Sequence, residues 1–214
     1  KLYRLDSHKT SLVFTGDGQN VYYLYYGKKI GEISPETYFL KEDNISTDLR
    51  NKLFSCYGDY DHRDKSILLF NPDNSFANDF VFKSATLMKG KKAIPCLPSS
   101  FGAEKTLTFE FEDKHEKLLL TISYSVYRDS DVITVRSSLK NLNEKTVTIK
   151  KFSSLQLDIS ESGFTASTFD GFWGGERYRH DTPLSSGVFI NQSLAGVSSS
   201  QHNPFSLIKN DKGV

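Results

Sequence analysis

From Thr106 to Glu112 polar and apolar residues alternate without a break. A period of two puts Leu107, Phe109 and Phe111 on one face of an extended strand, the pattern of a half-buried antiparallel strand. The polar stretch Asp113–Lys117 leads to Leu118–Arg128, where Leu120, Ile122, Tyr124 and Val126 share a face. Asp129-Ser130 turns the chain, Asp131–Asn141 runs back, and Asn143-Glu144-Lys145 turns it again ahead of Val147–Leu157. Four long strands joined by tight polar turns predict a meander. A one-residue slip of register would turn each apolar set to water, so the alternation also selects the pairing. Burial of three core residues per strand contributes about 1.5–3 kcal/mol each, before chain entropy is subtracted.

One sheet with an apolar face needs a second to cover it. Shorter candidate strands precede the meander: Leu2–Leu5, Ser11–Thr15, Val21–Tyr26, Ser66–Phe70 and Asp79–Met88. The N-terminal strands and Gly187–Ile190 are candidates for the covering sheet. No convincing amphipathic helix exceeds three turns. The expected fold class is all-β, a large antiparallel two-sheet sandwich. Ile33–Tyr57, with Pro35 and scattered polar residues, reads as a long loop.

The chemistry is sparse. Lys plus Arg number 27 and Asp plus Glu 26, a formal charge of +1, so no strong field recruits nucleic acid or an anionic membrane. No apolar run approaches the length of a membrane span, and no secretion signal is visible. Cys56 and Cys96 lie far apart and make no metal-type spacing, which predicts reduced thiols in the cytoplasm. The five histidines are scattered, with no zinc-hydrolase spacing. There is no Gly-x-Ser-x-Gly elbow, no phosphate-cradling loop, and nothing that pairs two carboxylates across a cleft. The chain does not read as a complete enzyme, and no metal or cofactor is expected. It stops at Lys209–Val214 just after a strand begins, as a piece of a longer polypeptide would.

The densest signal is Asp170-Gly171-Phe172-Trp173-Gly174-Gly175-Glu176-Arg177, which holds the only tryptophan. Glycines permit positive φ and close backbone approach. A Trp among them suits display on a bent loop, where its flat face could meet the apolar face of a sugar. The competing reading is a Trp that plugs the end of the sandwich core.

This stretch resembles the signature of the N-terminal domain of glycoside hydrolase family 36 α-galactosidases. So does Gly196–Phe205, some twenty residues on. Further matches keep the expected order: Tyr25–Lys28; Tyr57-Gly58-Asp59 with Asp61 and Arg63; Gly90-Lys91 and Leu97-Pro98; Tyr124-Ser125-Val126 with Asp131–Thr134; and Asn141. The resemblance spans nearly the whole chain. Departures fall at Gly175 and Val135, where the family often has Arg, at Ser200, where it often has His, and in a shortened Ser34–Leu53 segment.

The resemblance implies a single N-terminal β-supersandwich domain over residues 1–214, with a catalytic (β/α)8 barrel C-terminal to it and absent here. The whole enzyme would remove terminal α-linked galactose from melibiose- or raffinose-type sugars with retention, using two aspartates of that barrel. This chain then supplies no catalytic residue. It would pack on the barrel, shape the active-site wall and contribute to a tetramer, with no nucleic-acid or membrane partner. Trp173 would contact substrate, and Asp43 is the candidate loop acid reaching sugar. Glu176 and Arg177 are expected as an ion pair or loop anchor, and Asp61 and Arg63 as an inter-domain salt bridge. His202 and Asn203 are expected to satisfy buried backbone groups near the Pro204 turn. The alternatives are a stand-alone carbohydrate-binding sandwich, or a purely structural domain with Trp173 buried inward.

Overall fold

A computed structural model describes residues 1–32, 51–59, 63–159, 162–194 and 201–210. Among them every regular element is a strand and every strand pairing is antiparallel. The protein is an all-β sandwich. Its contacts divide the chain into two compact units, Lys1–Asp158 and Ile159–Val214.

In the first unit, β1 (Leu2–Asp6), β2 (Thr10–Gly16) and β3 (Val21–Lys28) form one sheet in sequence order. β5 (Phe80–Lys89), β6 (Ala103–Asp113), β7 (Leu118–Tyr127) and β8 (Ser130–Asn141) form the long meander. β4 (Ile67–Phe70) pairs with β9 (Thr148–Phe152) as a separate ribbon. The meander therefore has four strands, but its fourth is β5 and not the segment after Asn143. That segment is mostly exposed and carries two adjacent lysines, Lys150 and Lys151, so it lacks the apolar face that would hold it beside β8.

The register matches the alternation. Leu107, Phe109 and Phe111 are buried, as are Leu118, Leu120, Ile122, Tyr124 and Val126. The N-terminal sheet closes this face. Phe14 meets Phe109 edge-on at 5.0 Å and Tyr124 at 4.8 Å between ring centroids, while Tyr3 meets Phe109 at 5.2 Å. These geometries are the favoured ones for aromatic quadrupoles. Two polar atoms enter the core together: the hydroxyls of Tyr23 and Tyr124 lie 2.5 Å apart and satisfy each other. Gly187–Ile190 is not a strand; the N-terminal strands cover the face together with Leu53, Phe54 and Cys56 and with Ile67 and Leu69 of β4, the Phe54 ring meeting Phe111 at 4.9 Å.

The turns carry their own chemistry. Buried Asp113 accepts from the backbone N–H of Glu116 at 3.0 Å and of Asp79 at 3.0 Å, and from the Asn78 amide at 3.1 Å. One carboxylate thus pins the β6–β7 turn to the start of β5. Buried Glu116 faces His115 Nδ1 at 2.9 Å, and Asp73 brings a second carboxylate within 4.8 Å of both groups.

Replacing Phe109 by Ala should lower unfolding free energy by about 3–5 kcal/mol, from lost transfer energy plus the cavity left behind. Tyr124→Phe should cost about 1–3 kcal/mol, because the Tyr23 hydroxyl is left buried without a partner. Urea denaturation midpoints at constant slope test both.

Candidate functional site

The second unit is built on a hairpin. β10 (Phe164–Phe172) pairs with β11 (Gly175–Pro183), and β12 (Leu207–Asn210) lines the other edge of β10. Phe172 opposes Gly175, which leaves Trp173-Gly174 as a two-residue turn. Gly174 has φ +82° and Trp173 is not in the left-handed region, the φ pattern of a type II turn with glycine in its third position. Trp173 therefore stands at the hairpin tip and is 91% exposed. It does not plug a core.

The backbone behind the tip is constrained. Pairing resumes at Asp170 opposite Tyr178, so Gly171 alone faces Glu176 and Arg177. This is a β-bulge, which bends a strand and sharpens its twist. Arg177 sits at φ +63°, the left-handed conformation of a bulge residue. Gly171 has φ +151°, and a Cβ there would lie 2.2 Å from the Gly175 carbonyl oxygen. The Phe172 ring lies over Gly175, where an added Cβ would meet it at 2.5 Å. An Arg side chain at Gly175 would displace that ring.

Three exposed aromatics gather here: Phe172 at 62%, Trp173 at 91% and Tyr178 at 56%. The Phe172 and Tyr178 rings lie nearly parallel, 28° apart, with centroids 6.3 Å apart. The sequence signature contains Phe172 but assigns no role to it, and Tyr178 lies just outside it. The signal that would have joined them is the hairpin itself, since the bulge makes residues six apart neighbours.

Below the tip, polar side chains tie the strands together. Asp181 on β11 accepts from the Ser167 hydroxyl on β10 at 2.5 Å and takes a two-pronged contact from Arg179, both bonds 2.8 Å. Lys209 on β12 adds its ammonium at 3.6 Å. His180 Nε2 lies 2.7 Å from Asp170. His202 makes an isolated bridge to Asp170, and the Asn203 N–H donates to the Phe169 carbonyl at 3.0 Å. The Phe205 ring stacks on Phe169 at 4.8 Å. Together, His202 and Asn203 continue the edge contact that β12 makes farther down β10.

The remaining candidates separate. Glu176 and Arg177 are both exposed, and neither forms an ion pair with a described residue. Arg63 lies in the first unit and pairs in a two-pronged fashion with Asp158 of the same unit, both bonds 3.0 Å. Asp43 and Asp61 fall outside the described residues. Cys56 is a buried free thiol, pushed up to about 12 by burial, and Cys96 is an exposed one. Among the described residues no helix is long and apolar enough to cross a membrane.

The family model described as the glycosyl hydrolase family 36 N-terminal domain matches residues 19–213. The chain belongs to that family. It is 28% identical, over 96% of its length, to alpha-galactosidase Mel36A of Lactobacillus acidophilus, and covers 30% of that protein. Alpha-galactosidase 1 of Pediococcus pentosaceus is 24% identical over the same shares of each chain. The fold is that of alpha-galactosidase AgaA of Geobacillus stearothermophilus, solved in complex with raffinose, with a TM-score of 0.90 at 24% identity. That match covers 99% of this chain and 32% of AgaA. This family 36 N-terminal domain therefore spans about 30% of the length of the relatives it matches.

Two outcomes follow from the hairpin. Gly171→Ala should perturb the tip more than the rest of the protein, because the new methyl has no room against the Gly175 carbonyl. Amide chemical shifts should change over residues 170–178 and stay nearly fixed in β6 and β7. The hydrogen bonds from Arg179 and Ser167 hold the Asp181 carboxyl down to about 2. A depressed folded value means its stabilisation is present above the ordinary carboxylate range and is lost as pH falls toward 2. An NMR titration should find Asp181 protonating well below the ordinary carboxylate range, and Arg179→Met should move it back up.

Proposed function

We propose that this chain is the N-terminal accessory domain of a retaining α-galactosidase acting on melibiose- and raffinose-type sugars, and that it supplies an aromatic wall rather than the reacting acids. The observation that carries the reading is Trp173: a solitary indole, 91% exposed, at the tip of a hairpin with a constrained backbone. A single exposed apolar side chain is ordinary, but three exposed aromatics on one hairpin make the kind of surface that marks a binding site. A sugar face laid on ~50–100 Å² of that ring contributes about 1–2.5 kcal/mol. The Phe172 and Tyr178 rings, paired with each other, add exposed aromatic surface on the same hairpin.

In this proposal the nucleophile and the acid/base are aspartates of a C-terminal (β/α)8 barrel, and this domain packs on that barrel within a homotetramer. The relatives are about three times as long as this chain, which supports a further catalytic part. Glu176 and Arg177, exposed and without an ion pair to a described residue, are proposed to meet sugar or barrel. Asp43 is proposed as the loop acid that reaches substrate, and Asp61 as a partner at the barrel interface. Two free thiols that form no disulfide support a cytoplasmic enzyme.

Steady-state hydrolysis of melibiose by the full-length protein tests the reading. Trp173→Ala should lower kcat/KM a few-fold to tens-fold, with Trp173→Phe falling between. Unchanged kinetics in Trp173→Ala would remove the indole from the site. The isolated chain should not hydrolyse p-nitrophenyl α-galactoside. Tight galactose binding by the isolated chain would favour a stand-alone carbohydrate-binding module instead.

A further inference from the structure

The outer face of the four-stranded sheet is a recess, not a plain solvent face. A volume of about 360 Å³ lies over it, roofed on one side by Lys91 and Lys92 from the segment after β5. The strand register sets its floor as cross-strand rows. One row runs Thr86, Thr108, Ser123, Arg136 across β5 to β8. The next runs Ser84, Glu110, Thr121, Ser138. Neighbouring strands are about 4.8 Å apart, so these side chains form a grid of short hydroxyls with one cation and one carboxylate set among them. Long charged side chains on such a face would fill the space over it. Short hydroxyls instead leave room above the sheet.

The hydroxyls retain hydrogen-bonding capacity. Thr108 and Ser123 share one bond at 2.9 Å, so one of their two protons remains to be donated. Thr106, one row away, differs: it donates to the Gly90 carbonyl at 2.6 Å and meets Ser125 at 2.8 Å, so that pair is spent on the fold. Glu110 accepts from Ser84 at 2.9 Å and keeps acceptor capacity. Arg136 and Lys92 are exposed and make no ion pair with a described residue. Lys91 is spent only on the Ser100 hydroxyl, at 2.8 Å.

We propose that this recess binds a phosphorylated sugar. Arg136, Lys91 and Lys92 against the single Glu110 give the recess net positive charge, which suits a phosphate. Arg presents a planar fork to such oxygens and Lys a point charge. A bare anion would not need Glu110, which can only accept hydrogen bonds when ionised. A sugar hydroxyl supplies the donor that Glu110 lacks, and Thr86, Thr121 and Ser138 can each donate to or accept from the remaining ring hydroxyls. The recess holds no aromatic side chain, so recognition here is polar, unlike the stacking proposed at Trp173.

Calorimetric titration of the full-length protein with glucose 6-phosphate tests the assignment, with glucose and inorganic phosphate titrated separately. Glucose 6-phosphate should bind saturably and more tightly than either fragment, and the affinity should fall as NaCl is raised. Arg136→Gln and Glu110→Gln should each weaken it at least tenfold, while Trp173→Ala leaves it unchanged. The Arg136 side chain is exposed and makes no side-chain bond with a described residue, so Arg136→Gln should fold, as circular dichroism will verify. No saturable binding, equal binding by Arg136→Gln, or equal binding by inorganic phosphate would overturn the proposal. Loss of binding in Trp173→Ala with retention in Arg136→Gln would assign the sugar phosphate to the hairpin and overturn it as well.

Discussion

The contact of Phe14 with Phe109 and Tyr124 is what makes two sheets into one core. Each sheet alone has an apolar face it cannot leave in water. The three rings come from β2, β6 and β7 and meet within 5.0 Å of one another's centroids where Phe14 is the partner. The paired hydroxyls of Tyr23 and Tyr124 show how narrowly polarity is tolerated there: each satisfies the other. With that face closed, the outer face of the same sheet is free of packing duty. Its residues can be short and hydroxylated, which is the condition for the recess beneath Lys91 and Lys92.

The second unit achieves definition by other means. Few of its side chains are buried, and its hairpin exposes most of β11. Order comes from backbone pairing on both edges of β10, from the Asp181 cluster spanning three strands, and from the bulge at Gly171. A hairpin built this way can hold an aromatic side chain in water without relying on a core to orient it. That separates the display of Trp173 from the burial that stabilises a sandwich.

The legibility of the sequence followed the hydrophobic effect closely. β6 and β7 could be read almost residue by residue, because a strand half in water and half in a core must alternate. The N-terminal strands were visible for the same reason. β9 was misplaced, since Thr148–Phe152 carries no alternation to say which neighbour it joins. β11 was missed as a strand altogether: Gly175–Pro183 is polar on both faces, so nothing in its pattern departs from a loop. Trp173 could be singled out by its uniqueness and its glycines, but its exposure could not, since a lone Trp is as ready to fill a core. The left-handed Arg177 has no sequence signal. Only the registration of Gly171 against two residues makes it necessary. The recess was illegible because it depends on which of four strands place short side chains in the same cross-strand row.

The central claim is that the hairpin holds its indole out in water in the folded state. Since Trp173 is the only tryptophan of the chain, acrylamide quenching of its fluorescence reports on that residue alone. The account predicts a quenching constant in the native chain close to that of the chain unfolded in urea, with emission at the long wavelength of a hydrated indole in both. A native quenching constant several-fold lower, with blue-shifted emission, would place the indole inside the fold and contradict it.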